Sequence, residues 1–305
     1  MRTIIYSIIY NSKVNYIIRN ISYYVIKLLP ETFKIPVSGV LNLKTKNGTI
    51  KIATNQTSYL TKVLFWKGYK YFEYSEIFED LSKSINCFLD IGANIGYYSL
   101  IASKTNRNIK IFAFEPAKGP KHYLNKNIEL NNFQNNIKPV DIALSNKEGI
   151  IDFYEVESKK YKNLKYNLSG EHNAGTKTKS RNFVKKQVKT TTLSNFIKHN
   201  KIENIDIIKI DTEGTEVDIL KSGKNEIKQY QPIIICETLF NTTENELDDF
   251  FSSLGYVFYN HTDKGLVEVD TIKRTEDNEV RNCFFVPKNK IKLINKYIAK
   301  TSISN

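Results

Sequence analysis

The sequence predicts an α/β protein built on a Rossmann-like, doubly wound, mostly parallel sheet of seven strands, preceded by a small region of helix and β-hairpin. Three observations carry this. From about residue 85 short apolar runs alternate with helix-like segments, the pattern of parallel strands joined by crossover helices. The run Cys87–Ile91 enters a tight turn bearing Gly92 and Gly96, as a strand does before the helix of a ligand-binding βα unit. Asn47-Gly48 separates two alternating runs, a hairpin signal. With 305 residues, 41% of them hydrophobic, the chain can bury a sizeable core. The expected organisation is an N-terminal region over 1–75, a ligand-binding domain over 76–290 with a basic insertion at 150–190, and a basic tail over 291–305.

Taken in order, Ile4 to Leu29 is rich in Ile, Tyr and Val but interrupted by Lys13, Arg19 and Lys27. No uncharged run reaches the roughly 20 residues of a spanning helix, and no small-residue cleavage site follows as in a signal peptide. The segment reads as an amphipathic helix docked on the core or on a second subunit, with a membrane surface as the alternative. Pro30 and Pro36 end it, and the hairpin runs Val40–Leu43 and Thr49–Ile52 follow. Strands are expected near 87–91, 109–115, 137–142, 205–211, 232–237, 255–260 and 281–286. Gly223 is expected to cap a helix beginning near Glu213, and Thr243-x-x-Glu246 has the form of a capping box. The stretch from 150 to 190, rich in Lys, Gly and Asn, interrupts the alternation and is expected to lie over one end of the sheet, where substrates are met.

The net charge of +13 follows from 45 basic and 32 acidic residues. It is concentrated locally: residues 159–189 hold ten basic side chains against Glu171 alone, and Lys288–Lys300 holds five lysines. Such runs are solvated surface or meet an anionic partner: nucleic acid, a phospholipid surface or an acidic glycan. Cys87, Cys236 and Cys283 lie in apolar runs and read as buried thiols in a reducing compartment, so a cytoplasmic location is expected, with a peripheral membrane association as its variant. Histidines at 122, 172, 199 and 261 do not cluster as zinc ligands.

The chemistry concentrates at the ends of the predicted strands. Glu115, closing Ile111–Phe114, lies about 20 residues beyond the glycine turn, where a carboxylate grips ribose hydroxyls. A dinucleotide site would place a second glycine where Asn94 stands, and Asp90 would oppose a pyrophosphate. A cationic nucleoside suits the turn better, which points to S-adenosylmethionine held by Asp90, Gly92, Ala93, Asn94, Gly96 and Glu115. Asp141 and Ala143, at the end of the third strand, are candidates for the adenine edge, and Glu73 for a contact reaching over the cofactor. Ile207–Ile210 delivers Asp211 and Glu213 to the ligand side of the sheet. Methyl transfer to a hydroxyl needs alignment and an acceptor for its proton, so these two are candidate bases. With Glu237 they are also candidate ligands of a divalent cation. The bland alternative is that Asp211 caps the next helix while Glu213 and Glu216 favour its N-terminus. His172, in the insertion, is a further candidate base.

Asp90-Ile-Gly-Ala-Asn-Ile-Gly-Tyr-Tyr-Ser, Phe114-Glu115-Pro116, Ala143-Leu144, Thr192-Leu193 and Lys209-Ile-Asp-Thr-Glu-Gly-Thr-Glu216, in this order over about 68–240, resemble the FkbM-type methyltransferase family. The resemblance implies a class I adenosylmethionine-dependent fold and O-methylation of hydroxyls on sugars, polyketides or other secondary metabolites. By position it makes Asp90, Gly92, Asn94, Gly96 and Glu115 cofactor residues, and matches Asp211, Glu213 and Glu216 to the family's acidic motif. The expected acceptor is a hydroxyl-bearing glycan or small molecule. Two rivals stand beside it: a nucleic-acid methyltransferase, favoured by the charge but lacking an Asn-Pro-Pro-Tyr type motif, and a non-catalytic basic or membrane-surface module on the same fold. The oligomeric state is not set by the sequence.

Overall fold

The structure, a computed structural model, describes residues 2–26, 30, 33–157, 160–161, 164–168 and 182–299. Its strands are β1 (Gly39–Thr45), β2 (Gly48–Thr54), β3 (Cys87–Ile91), β4 (Lys110–Phe114), β5 (Ile137–Val140), β6 (Ala143–Leu144), β7 (Gly149–Glu157), β8 (Asn182–Thr191), β9 (Ile207–Ile210), β10 (Ile233–Glu237), β11 (Tyr256–Thr262), β12 (Gly265–Val269) and β13 (Asn282–Pro287). The central sheet has the order β12-β11-β13-β10-β9-β3-β4-β5. From β10 to β5 the pairs are parallel, and β13 joins β10 and β11 antiparallel. All seven expected strands are present; β12 is an eighth, returning beside β11.

The parallel strands have helices on both faces, so their residues alternate between two apolar cores. Phe88, Ile207, Ile233 and Ile235 enter one, and Leu89, Ile91, Ile208, Ile210 and Ile234 the other. Each such side chain taken fully out of water contributes about 1.5–3 kcal/mol. Asp90 and Lys209 are register partners in adjacent strands, so two charges face each other inside this apolar frame. The chain passes from β3 outward through β4 and β5, then returns to β9 and moves the other way. The direction reverses between β3 and β9, which opens a crevice beyond their C-terminal ends.

The hairpin β1–β2 closes through the Asn47-Gly48 turn and docks on helix Lys118–Asn131. Asn127 secures it: its Oδ1 accepts from the Ala53 N–H at 2.6 Å, while its Nδ2 donates to the Ile95 carbonyl at 2.9 Å. The N-terminal region is thereby tied to the glycine turn itself.

Several local expectations are corrected. Thr243 precedes helix Glu244–Ser252 but makes no side-chain cap; instead Glu244 accepts from the Asn241 N–H at 2.6 Å and pairs with Arg274. The helix expected near Glu213 spans Glu216–Lys221 and ends at Ser222, and Gly223 precedes the next helix, Lys224–Tyr230. The basic insertion expected at 150–190 is flanked by regular structure: residues 150–157 lie in β7 and 182–190 in β8, paired antiparallel, with β6 completing a three-stranded sheet. The lysine-bearing end of the chain is docked through residue 299. Ile294 is buried in the core, Lys296 Nζ lies 2.5 Å from Asp80 Oδ2, the Tyr297 hydroxyl donates to Asp80, and Ile298 bridges to Leu266. The three cysteines are free and buried, as expected. Among the described residues no helix is long and apolar enough to cross a membrane.

Candidate functional site

At the crevice beyond β3 and β9 lies a cavity of about 330 Å³. Residues 91–94 and Lys209 line it from the sheet, and Glu115, Pro116 and 143–145 from the β4–β6 side. Asp211, Thr212 and Glu213 follow β9, Leu60, Phe72 and Glu73 come from the N-terminal region, and residues 151–154 of β7 supply a further wall.

The glycine turn needs glycine at two positions. Gly92 has φ +75°, and a Cβ there would stand 1.9 Å from the Asp211 carbonyl oxygen. Its side chain is forbidden by the neighbouring backbone, which joins the ends of β3 and β9 tightly. Gly96 has φ +87° at the start of helix Tyr97–Thr105, and a Cβ would meet Leu124 Cδ1 at 2.5 Å. The helix it lets approach is Lys118–Asn131, which carries Leu124. Asn94 is left-handed at φ +50°, and its N–H donates to Glu115 Oε2 at 2.9 Å. The Ala117 N–H donates to Glu115 Oε1 at 2.8 Å, so two backbone donors aim the carboxyl at the cavity. Burial raises the Glu115 pKa to about 7 against the pull of those donors.

Asp90 requires a correction. Expected beside the ligand, it does not line the cavity: it is buried behind the turn, where Oδ2 accepts from Ser99 Oγ at 2.6 Å and Oδ1 lies 4.0 Å from Lys209 Nζ. That Oδ1 has no hydrogen-bond donor. Burial raises its pKa, with the Lys209 charge acting against it. Asp141 also stands apart. Its side chain is 72% exposed, 3.4 Å from Lys121 Nζ, and the cavity wall at that edge is made by Ala143, Leu144 and Ser145. His172 lies outside the described residues.

The other acids converge. Glu73 sits in the cavity wall with φ +43°, and its Oε2 accepts from the Tyr98 hydroxyl at 2.6 Å. Burial raises its pKa and the Tyr98 bond opposes the shift. One carboxylate oxygen each from Asp211, Glu213 and Glu237 lies within 4.8 Å of the others. Glu216 is structural: its Oε1 accepts from the Thr212 N–H at 2.8 Å, and its Oε2 from the Gly214 N–H at 2.9 Å, closing the loop before its helix. The alternative role of Asp211 as a cap is not realised: the helix Glu216–Lys221 has no side-chain cap at its N-terminus, and Glu216 instead closes the loop ahead of it.

Lys209 is the functional residue the sequence reading missed, although a lysine within Ile-Ile-Lys-Ile was its signal. Buried, its Nζ donates to the Gly92 carbonyl at 3.0 Å and lies 3.4 Å from Asp211 Oδ2. Burial alone would lower its pKa, but Asp211, Asp90 and Glu73 outweigh that and hold the ammonium above its ordinary value. Tyr98 was likewise missed, and only the fold brings it to Glu73.

Burial, then the charges of Asp211 and Glu213, raise the Glu237 pKa to about 9. Full ionisation would set three carboxylates together, so at neutral pH this carboxyl favours its protonated form and the cluster can share a proton. A carboxyl whose folded pKa lies above its unfolded value of about 4.3 destabilises progressively as pH rises through the interval between them. The melting temperature of the protein is therefore expected to fall between pH 4.5 and 9 more steeply than that of Glu237→Gln. Parallel pH–melting curves for the two proteins would show the assigned shift to be wrong.

The FkbM methyltransferase domain family matches residues 90–258. Methyltransferase sdnD of Sordaria araneosa is 29% identical over 192 residues, which is 55% of this chain and 74% of that protein. Among solved structures, methyltransferase FkbM from Methylobacillus flagellatus aligns with a TM-score of 0.42 at 12% identity, over 89% of this chain and 60% of that one. A precorrin-6y C5,15-methyltransferase from Geobacter metallireducens aligns with a TM-score of 0.38 at 14% identity, over 68% and 85% respectively.

Proposed function

This chain belongs to the FkbM methyltransferase family, and from that premise we propose that it transfers a methyl group from S-adenosylmethionine to a hydroxyl oxygen of a glycan or small metabolite. The observation that carries the reading is the charge of the cavity. Glu73, Glu115, Asp211 and Glu213 face it, against Lys209 as the ammonium in its wall. An acidic cavity at a topological switch point suits a nucleoside that carries positive charge.

Glu115 is the group for the ribose hydroxyls, residues 92–94 present backbone close to the ligand, and the edge at 143–145 is the place for the base. Glu73 and Asp211 face the cationic end. When bound, S-adenosylmethionine supplies an electrophilic methyl group on a sulfonium. The remaining work belongs to the protein. Asp211 is held from one side by Lys209, which fixes the direction of its carboxylate, and from the other by the Glu237 carboxyl. In the acceptor complex Asp211 takes the hydroxyl proton, and the protonated Glu237 keeps a second negative charge from building up beside it. Leu60, Phe72 and the strand β7 supply apolar wall to the cavity and reduce the access of water to the reacting centre.

Adenosylhomocysteine release, measured over a panel of free glycans, lipid-linked sugars and hydroxylated metabolites, tests the reading. Turnover with a hydroxylated acceptor, unchanged by a chelator, is the expected result. Turnover confined to RNA would replace the acceptor class, and loss of turnover on chelation would replace Asp211 by a metal-activated hydroxyl.

A further inference from the structure

Helix Ser12–Ile26 is mounted with its polar side inward. Asn15 and Arg19 are buried against the segment leading into β1, with Arg19 only 2% exposed. Arg19 Nη1 donates to the Ser38 carbonyl at 2.8 Å and to Asn15 Oδ1 at 3.0 Å, and Nη2 donates to the Val40 carbonyl at 2.8 Å. Asn15 Nδ2 donates to the Pro36 carbonyl at 3.1 Å, and its Oδ1 accepts from the Ser38 N–H at 2.8 Å. These bonds set the rotation of the helix about its axis. They leave an apolar stripe facing outward: Ile17, Ile21, Tyr24 and Val25 are 58%, 64%, 87% and 75% exposed, spaced at helical i, i+4, i+7 and i+8. The preceding helix, Arg2–Ile9, packs against this one and exposes Ile4 and Ile8.

We propose that this outward face docks the protein on the surface of an anionic lipid bilayer, with the helix lying in the interface plane. Burying large apolar side chains and tyrosines at the level of the headgroups is the way such a helix binds. Charge selects the occupant. Besides the inward-facing Arg19, the first thirty residues contain Arg2, Lys13 and Lys27 and no Asp or Glu. Lys13 is exposed at the start of the helix, and Lys160 adds a basic side chain at the preceding helix, its Nζ 5.4 Å from the Tyr6 ring centroid. A second copy of this chain on the same face would set like charges together, whereas anionic headgroups oppose them. Among the described residues no helix is long and apolar enough to cross a bilayer, and the proposed attachment is to its surface.

Co-sedimentation of the full chain with vesicles of phosphatidylcholine and phosphatidylglycerol in equal parts, and with phosphatidylcholine alone, tests this. Binding to the anionic vesicles that weakens as salt is raised, and falls at least about tenfold in the double variant Ile17→Glu, Ile21→Glu, is the expected result. Both substitutions are at exposed positions, and the melting temperature of the variant checks that it remains folded. The salt series on the unaltered chain is independent of that variant. Absence of binding to anionic vesicles, or binding that the double variant retains, overturns the proposal. So does a dimer in light scattering that the double variant converts to monomer, since the face would then join two copies.

Discussion

Asp211→Asn is expected to lower the turnover number by about 10²–10⁴-fold, while adenosylmethionine binding, which loses one of the two charges at its cationic end, weakens by no more than about tenfold. The amide keeps the shape and hydrogen-bonding capacity of the side chain but cannot take the proton of a hydroxyl. Its position on the loop after β9 is preserved because that loop is closed by Glu216, which accepts from the N–H groups of Thr212 and Gly214. The substitution also removes one charge from beside Lys209, which retains Asp90 at 4.0 Å and the Gly92 carbonyl at 3.0 Å. A loss much larger in turnover than in binding separates a base from a binding group. Equal weakening of cofactor binding and turnover would place Asp211 among the binding residues, and full activity would remove it from the chemistry.

Lys209→Met is expected to destabilise the protein by about 3–5 kcal/mol, the cost of removing one partner from a buried ion pair. Methionine nearly fills the volume, so the loss is electrostatic. Asp90, buried with its Oδ1 lacking any donor, is left without its counter-charge. Its raised pKa rises further in the variant, so the sign of the pH dependence follows. The deficit is small where Asp90 is protonated in both folded and unfolded chains, below about pH 4, and grows as pH rises through the unfolded value. Denaturant unfolding of the variant at pH 4 and pH 7.5 measures this. Adding Asp90→Asn should recover part of the loss at the higher pH, and a deficit independent of both pH and Asp90 would show that Lys209 is held only by packing.

Much of this architecture can be read from residue order, because buried parallel strands must be nearly continuous apolar runs, and Cys87–Ile91, Ile207–Ile210 and Ile233–Glu237 are such runs. The strand β12 was not, since its short Gly-Leu-Val-Glu-Val run is half exposed and is held by pairing with β11 across the Asp263-Lys264 turn. Reading β7 and β8 from sequence failed for a related reason: the lysines of β8 are exposed in an antiparallel pair, and composition alone does not separate that from a loop. At the site, the position of a carboxyl at a strand end was legible but its direction was not. Glu115 is turned inward by two backbone donors, whereas Asp141, three residues from Lys138 and beyond the end of β5, turns out to Lys121. Asp90 was assigned to the ligand because its partner, Lys209, lies 119 positions away in sequence and meets it only through strand register. The outward apolar face of helix Ser12–Ile26 has the same origin. Its hydrophobic periodicity shows a stripe, but the bonds of Arg19 to the carbonyls of Ser38 and Val40 decide that the stripe faces away from the protein.

A crystal structure of the chain grown with S-adenosylhomocysteine tests the central claim most directly. The account predicts the ribose hydroxyls against the Glu115 carboxyl, the adenine at the 143–145 edge, and the sulfur on the side of Asp211 and Glu73. A ligand seated elsewhere on the molecule, or a cavity beyond β3 and β9 that stays empty at saturating ligand, would contradict it.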